Sequence, residues 1–268
     1  LNSVDSKLCM NRLQSAAGFT YKEAKVLYGV YGKGQTLFNL PAAFITPLTI
    51  SIVPAISGAI ARGAKGEAAK VSEDSLRISA VISLPMGAGL AILAAPIFGV
   101  LFPNSHKAGP GLLCIMGIAS FFVCLVLMEN AILQASGREK LTMVTMITGG
   151  LVKIIVNWFL VANRAVNIYG APIGTLVSYF VMAAMNYIFM CSSLENRPRL
   201  SRAFARPAAS SFIMGAAAWL VYGAAARIIG TGSSLKAVVC LGIAVLAAAA
   251  AGLLGGLLVM ILGPIAAG

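Results

Sequence analysis

The chain has 268 residues, of which 59% are hydrophobic and only 10% are charged. Soluble domains carry about 25% charged residues, and a core of this size does not bury so much apolar surface, so lipid must cover the remainder. The net charge of +12 comes from short segments between apolar runs, a pattern that suits an anionic membrane surface and argues against nucleic acid as a partner.

Seven apolar segments are long enough to cross a bilayer, which takes about 20 residues. They are continuous and lack period-two alternation, so we predict an all-α, polytopic bundle of transmembrane helices. The segments are 35–60, 78–102, 109–135, 141–162, 169–191, 207–229 and 237–262. Residues 1–14 have the character of the end of an eighth helix, and the first residue is Leu rather than Met. We therefore expect that the natural start of the protein lies upstream.

Residues 15–34, between the first two predicted helices, have a pattern of their own. Thr20 and Glu23 have the spacing of a capping box, which marks the start of a helix. The apolar face of that helix would consist of Ala24, Leu27, Tyr28 and Tyr31. We predict a short helix along the outer membrane interface; the alternative is an ordinary solvated helix in a loop.

Three prolines fall within segment 35–60, at Pro41, Pro47 and Pro54. Each removes one backbone hydrogen bond and bends its helix. Bent helices beside cavities are common in transporters, so we predict that this segment is a hinge. Simple tolerance of proline in a membrane bundle is the alternative.

The charges of the connecting segments predict the orientation. One alternate set carries ten cations, namely Arg62, Lys65, Lys70, Arg77, Arg138, Lys140, Arg197, Arg199, Arg202 and Arg206. The other set carries four, namely Lys107, Arg164, Arg227 and Lys236. The richer set is predicted to be cytoplasmic. Segment 15–34 disagrees, since it carries three lysines on the predicted outer side.

Two stretches carry a resemblance to a known family. The first comprises residues 11–14, NRLQ, with 27–59, LYGVYGKGQTLFNLPAAFITPLTISIVPAISGA. The second comprises residues 130–137, NAILQASG, with 152–179, VKIIVNWFLVANRAVNIYGAPIGTLVSY. Together they resemble the stage V sporulation protein B family of polysaccharide-biosynthesis membrane proteins. These proteins are relatives of the lipid II flippases in the multidrug/oligosaccharidyl-lipid/polysaccharide exporter superfamily.

The resemblance implies two six-helix lobes around a central cavity, often with two added C-terminal helices. On this basis residues 1–191 form the C-terminal lobe with its first helix truncated, and residues 192–268 form the two added helices. The N-terminal lobe of the same protein would be the missing partner.

The resemblance also implies a function in the bacterial plasma membrane. The lobes would rock by alternating access and flip a polyprenyl-pyrophosphate-linked sugar for cell-wall or polysaccharide biosynthesis, while its lipid tail stays among the membrane lipids. No enzymatic step, cofactor or metal is expected, because the sequence has no Ser/His/Asp set, no metal-ligand cluster and no P-loop.

A pyrophosphate in a low-dielectric cavity needs cations. Arg12 is one candidate, with snorkelling to the interface as the alternative. Lys153 is the other candidate, and it lies close to the middle of segment 141–162. An ammonium at the centre of a bilayer costs at least about 2.5 kcal/mol. We therefore hypothesise that Lys153 faces the central region and binds the pyrophosphate or an acid of the missing lobe. The alternative is a lysine bonded to carbonyls between helices. Asn39 and Asn157 are candidates for sugar hydroxyls, or for hydrogen bonds between helices.

Two other functions fit the same composition. A drug or cation antiporter of the superfamily would need acidic groups in a smaller cavity, and the embedded acids are scarce, with Asp5 and Glu129 as candidates. The sequence interpretation of Glu129 is a pair with a nearby loop cation. A membrane-embedded glycan enzyme would need reactive groups in sizeable outer loops, and the predicted outer loops are short.

Overall fold

The computed structural model describes residues 2–16, 18–193, 200–229 and 234–262, with side chains for 7–16, 18–192, 204–228 and 236–252. The regular secondary structure in these ranges is helical. The α-helices are α1 (Asn2–Ser15), α2 (Tyr21–Phe38), α3 (Leu40–Ala61), α4 (Lys65–Ile92), α5 (Ala94–Leu101), α6 (Gly109–Ala135), α7 (Glu139–Leu160), α8 (Gly170–Ser193), α9 (Leu200–Ile229) and α10 (Ser234–Leu262). A short 3-10 helix, Asn167–Tyr169, precedes α8.

Six helical stretches in the described part of the chain are long and apolar enough to cross a membrane. They are Tyr21–Ala61, Lys65–Ile92, Gly109–Ala135, Glu139–Leu160, Asn167–Ser192 and Phe204–Ile228. The predicted all-α, multi-pass membrane bundle is therefore confirmed. The seventh predicted segment lies in α10, where the apolar stretch with described side chains, Lys236–Gly252, is shorter than a full span.

Helix α6 is the centre of the bundle. It packs against α2, α3, α4, α5, α7 and α8, and buried residues occur on every side of it. A helix that is apolar all round is expected in such a central position. The pair α9 and α10 packs on the outside, mainly against α4 and α5.

Small residues bring α4 and α6 close together. The buried face of α4 is a row of hydroxyls that ends in a glycine, namely Ser72, Ser75, Ser79, Ser83 and Gly87. The Ser79 hydroxyl donates to the Cys124 carbonyl across the interface at 3.3 Å. An added Cβ at Gly87 would collide with the Gly117 carbonyl, so the backbones touch there. Small residues at helix contacts are typical of membrane bundles.

The structure moves one predicted boundary. The capping box of Thr20 and Glu23 is present, but its helix does not end before residue 35. It runs to Phe38, and α3 follows after a break at Asn39. Pro41 explains the position of the break, because it has no N–H to donate to the carbonyl four residues earlier. A straight helix over Tyr21–Ala61 would measure about 60 Å, twice the hydrocarbon thickness.

A second boundary is also wrong. The predicted segment 78–102 is two helices: α4 already begins at Lys65 and ends at Ile92, and α5 follows a break at Leu93. The first turns of α4 are amphipathic rather than apolar. Their buried face against α3 and α6 comprises Ala68, Ala69, Ser72, Ser75 and Leu76. Several cations predicted to lie in a loop therefore lie on the exposed face of a helix.

Candidate functional site

A cavity of about 220 Å³ lies between α6, α7 and α8. Its lining is mainly apolar, with four polar side chains among the residues that the structure describes. The lining residues are Val123, Val126, Leu127, Asn130, Met146, Gly149, Gly150, Lys153, Ser178, Tyr179 and Met182. A mostly apolar cavity with a few converging polar groups is the usual form of a ligand site.

Lys153 is the one cation on the described wall of this cavity. It is half-buried and lies on the side of α7 that faces α6 and α8. Helix α7 ends at Leu160, seven residues further on, which corresponds to about 10 Å. Lys153 is therefore nearer to one end of its helix than a residue in the middle of a bilayer-spanning segment would be.

Asn157 lies one turn beyond Lys153 but belongs to the helix interface. Its side chain is fully buried and is packed against Gly174 of α8, where an added Cβ would collide with the Asn157 Oδ1 atom. It is not among the described residues that line the cavity. This placement favours a role in helix packing over contact with a sugar hydroxyl.

Arg12 lies at the other side of α7. It is in the last turn of α1, and its guanidinium stacks on the Trp158 ring at 3.0 Å from the ring centroid. Its Nε atom is buried and has no hydrogen-bond partner in the described part of the chain. The stacking is a cation–π contact that ties α1 to α7, and it leaves the N–H donors of the guanidinium for other partners.

Asn39 forms the break between α2 and α3, and the three prolines follow it in α3. Asn39 is exposed at that break, and its neighbour Phe38 lies 6.5 Å from the ring of Tyr179, on the cavity wall. Pro41 is buried in the first turn of α3, whereas Pro47 and Pro54 are exposed inside the helix. The structure thus places Arg12, Lys153 and Asn157 beside or on α7, and Asn39 on a separate element.

The environment of Glu129 differs from the one that the sequence predicts. The predicted pair with a loop cation is wrong: the side chain is 0% exposed in α6, and neither carboxylate oxygen has a hydrogen-bond partner among the described residues. Asn186 of α8 is its polar neighbour. The signal was available, because an ionisable residue within an apolar membrane helix is a functional candidate by default.

A second cavity, of about 530 Å³, lies at one end of the bundle. Its lining includes Lys22, Glu23, His106 and Lys107. Lys33 donates to Ser105 close by at 3.4 Å. Segment 15–34 and the loop of Lys107 therefore lie at the same end of the bundle, as the predicted orientation requires. Which side of the membrane this end faces stays a prediction.

Comparison with known proteins decides the family. Residues 24–240 match the family described as "Lipid II flippase MurJ", which is more than half of the chain. This chain belongs to the lipid II flippase MurJ family. The finer assignment to stage V sporulation proteins remains a proposal.

Two relatives extend the comparison of this MurJ-family chain. It is 29% identical over 175 residues to the "Uncharacterized membrane protein YabM" of Bacillus subtilis (strain 168), a match that covers 64% of this chain and 31% of that protein. The fold is similar to an inward-facing multidrug resistance MATE family transporter of the MOP superfamily. The TM-score is 0.51 at 17% identity, over 92% of this chain and 60% of that one. The chain thus spans less than two thirds of the length of both relatives.

Proposed function

We propose that this MurJ-family chain is one lobe of an alternating-access flippase for a lipid-linked oligosaccharide or cell-wall precursor. The observation that carries the proposal is Lys153 on the wall of a cavity inside an apolar bundle. Two polar groups on the same wall, Asn130 and Tyr179, are suited to hydrogen bonds with an uncharged sugar.

The charge of Lys153 fits an anionic head group. Near the membrane centre an ammonium is costly, and a pyrophosphate offsets that cost with charge-assisted hydrogen bonds that are strong at low dielectric. Arg12, whose planar guanidinium is held by the Trp158 ring, is a second donor to phosphate oxygens in this proposal.

The lengths of the relatives support the assignment to one lobe. The match covers 92% of this chain but only 60% of the MATE transporter chain, so that transporter chain extends well beyond the matched region. In our proposal α1 to α8, within residues 1–191, form the lobe that lines the central cavity. Residues 192–268, which include α9 and α10 against α4 and α5, form an added pair. A polyprenyl carrier would keep its tail in the surrounding lipid of the plasma membrane.

A binding experiment tests this proposal. The purified full-length protein is titrated with a fluorescent polyprenyl-pyrophosphate oligosaccharide, and the same lipid with a neutral polyprenol head serves as the comparison. We expect saturable binding of the pyrophosphate lipid and at least tenfold weaker binding of the neutral one. Preference for a cationic drug over the pyrophosphate lipid would favour the antiporter alternative and contradict the proposal.

A further inference from the structure

The group that the proposed function leaves unused is Glu129. It lies six residues before the end of α6, the central helix, and it is 0% exposed. Both of its carboxylate oxygens are buried without a hydrogen-bond partner in the described part of the chain. A buried carboxylate that is neither paired nor hydrogen-bonded is one of the costliest arrangements in a protein.

The polar neighbours of Glu129 supply hydrogen-bond acceptors more readily than donors. Asn186 of α8 approaches the carboxyl group, but its Nδ2 donates to the Asn130 Oδ1 atom at 2.9 Å. The Asn186 Oδ1 atom is also buried without a donor in the ranges that the structure describes. Both Glu129 oxygens and the Asn186 Oδ1 atom are thus acceptors without a hydrogen bond of good geometry in these ranges, and a proton on Glu129 would supply a donor for the Asn186 Oδ1 atom.

The charged groups on the helices around α6 do not take the place of that proton as partners of the Glu129 carboxylate. Helices α3 and α5 contain no charged residue. On α2 the lysines belong to the opposite end of α6, where Lys33 contacts Ser105. Lys153 of α7 lies on the cavity wall beside Asn130, and the ion pair that the described side chains of Arg62 and Glu67 form does not involve Glu129.

Helix α4 also packs against α6, and its register with α6 is known. The contacts of Ser79 with Cys124 and of Gly87 with Gly117 show that the two helices are antiparallel, which places Glu129 opposite the region of Ser75. The buried side chains of that region are hydroxyls and Leu76. Its charged residues, Lys70, Glu73, Asp74 and Arg77, are not among the buried residues of α4.

We infer that Glu129 is a proton-binding site that couples transport to a proton gradient. In the conformation described here the carboxyl group carries the proton. Asn130, the next residue and the partner of Asn186, lines the cavity, so Glu129 is adjacent in the helix to a residue of the cavity wall. Movement of α8 away from α6 would admit water to Glu129, break its O–H bond and release the proton to that water. The return movement would bind a proton again from the other side.

A proton suits this place better than a metal cation. Glu129 is fully buried and is not among the described residues that line either cavity. A sodium ion would need room for several oxygen ligands, whereas a proton needs only the carboxyl oxygen itself. The coupling role rests on the proposed flippase function, but the bound proton does not, and the two are tested separately.

Infrared difference spectroscopy of the purified full-length protein tests the bound proton. We expect a C=O stretching band of a protonated carboxyl group at neutral pH, which is lost in Glu129→Gln and kept in the matched control Glu139→Gln, whose acid is exposed. Asn186→Leu leaves Glu129 in place and should shift the same band, so the assignment does not depend on the folding of one variant. Absence of a Glu129-dependent band would overturn the bound proton.

Proteoliposomes with an imposed pH gradient test the coupling. Flipping of a fluorescent polyprenyl-pyrophosphate oligosaccharide should accelerate severalfold with the gradient in the wild-type protein and should not respond to it in Glu129→Gln. A gradient of sodium at constant pH is the comparison. Flipping that responds to sodium alone, or to the pH gradient equally in both proteins, would overturn coupling through Glu129. If the wild-type protein flips nothing while the infrared band persists, it is the proposed function that fails.

Discussion

At the scale of single residues, Lys153 is the side chain on which the proposed function depends most. Replacing it with Met keeps the length and apolar stem but removes the ammonium. We expect Lys153→Met to fold and insert normally and to bind and flip the pyrophosphate lipid at least tenfold less well, since a hydrogen bond to a charged group contributes about 1.5–3 kcal/mol. Lys140→Met, at an exposed position, is the control. Equal flipping rates for Lys153→Met and Lys140→Met would show that the ammonium of Lys153 has no role in transport.

The sequence predicted where the unusual residues are but not all of their surroundings. Lys153 was singled out because it interrupts an apolar run, and that run does border a cavity. Asn157 and Glu129 could not be placed, because their environment depends on which face of α8 meets α6 and α7. Periodicity along one helix carries no information about the rotation of its neighbour, so the contacts of Asn157 with Gly174 and of Glu129 with Asn186 emerged only in three dimensions.

At the scale of helices, the packing of α7 on α8 leads to a second prediction. Gly174→Ala puts a Cβ into the space of the Asn157 Oδ1 atom, and overpacking of this kind costs about 1–3 kcal/mol. We expect a lower thermal midpoint for Gly174→Ala and partial recovery in the double variant with Asn157→Ala. Gly223→Ala in α9, where an added Cβ meets open space, is the control. An unchanged thermal midpoint for Gly174→Ala would show that the interface accommodates the added methyl group without a loss of stability.

The hinge at α3 is the third prediction. Pro47 lies inside the helix, is exposed, and withholds the N–H that would bond the carbonyl four residues earlier. Pro47→Ala restores that bond and should straighten α3, which slows exchange between inward- and outward-open states. We expect the flipping rate of the full-length protein to fall severalfold while the thermal midpoint changes little. A normal rate in a folded variant would exclude a hinge role for Pro47.

Helix ends were predicted less well than helices, and the reasons are local. Helix α6 has the same bounds as the predicted segment 109–135, because this run of the sequence is apolar from end to end. Hydropathy predicts a loop at the amphipathic start of α4, because it does not detect a helix that buries alanines and serines. The division between α2 and α3 was displaced because a capping box marks where a helix starts but not where it ends.

At the scale of the whole molecule, the orientation in the membrane is the fourth prediction. We expect Lys107→Cys to react with an impermeant thiol reagent from outside intact cells, and Arg138→Cys to react only after lysis. Both positions are exposed in the structure, whereas the native Cys9, Cys124 and Cys240 are buried. Cys114 and Cys191 are replaced by Ser beforehand. Arg199, one of the ten cations on the predicted cytoplasmic side, lies outside the described residues. Labelling of Arg138→Cys from outside intact cells would show that the orientation is the reverse.

The central claim is that this chain is a lobe of a flippase for a lipid-linked sugar. Its most direct test is the transfer of a fluorescent polyprenyl-pyrophosphate oligosaccharide between the leaflets of proteoliposomes, followed by quenching of the outer leaflet. We predict protein-dependent transfer by the full-length protein, no transfer by residues 1–268 alone, and restoration when the other lobe is supplied. Full-length protein that leaves the lipid in its original leaflet would contradict the flippase assignment, and rapid transfer by residues 1–268 alone would contradict the assignment to one lobe.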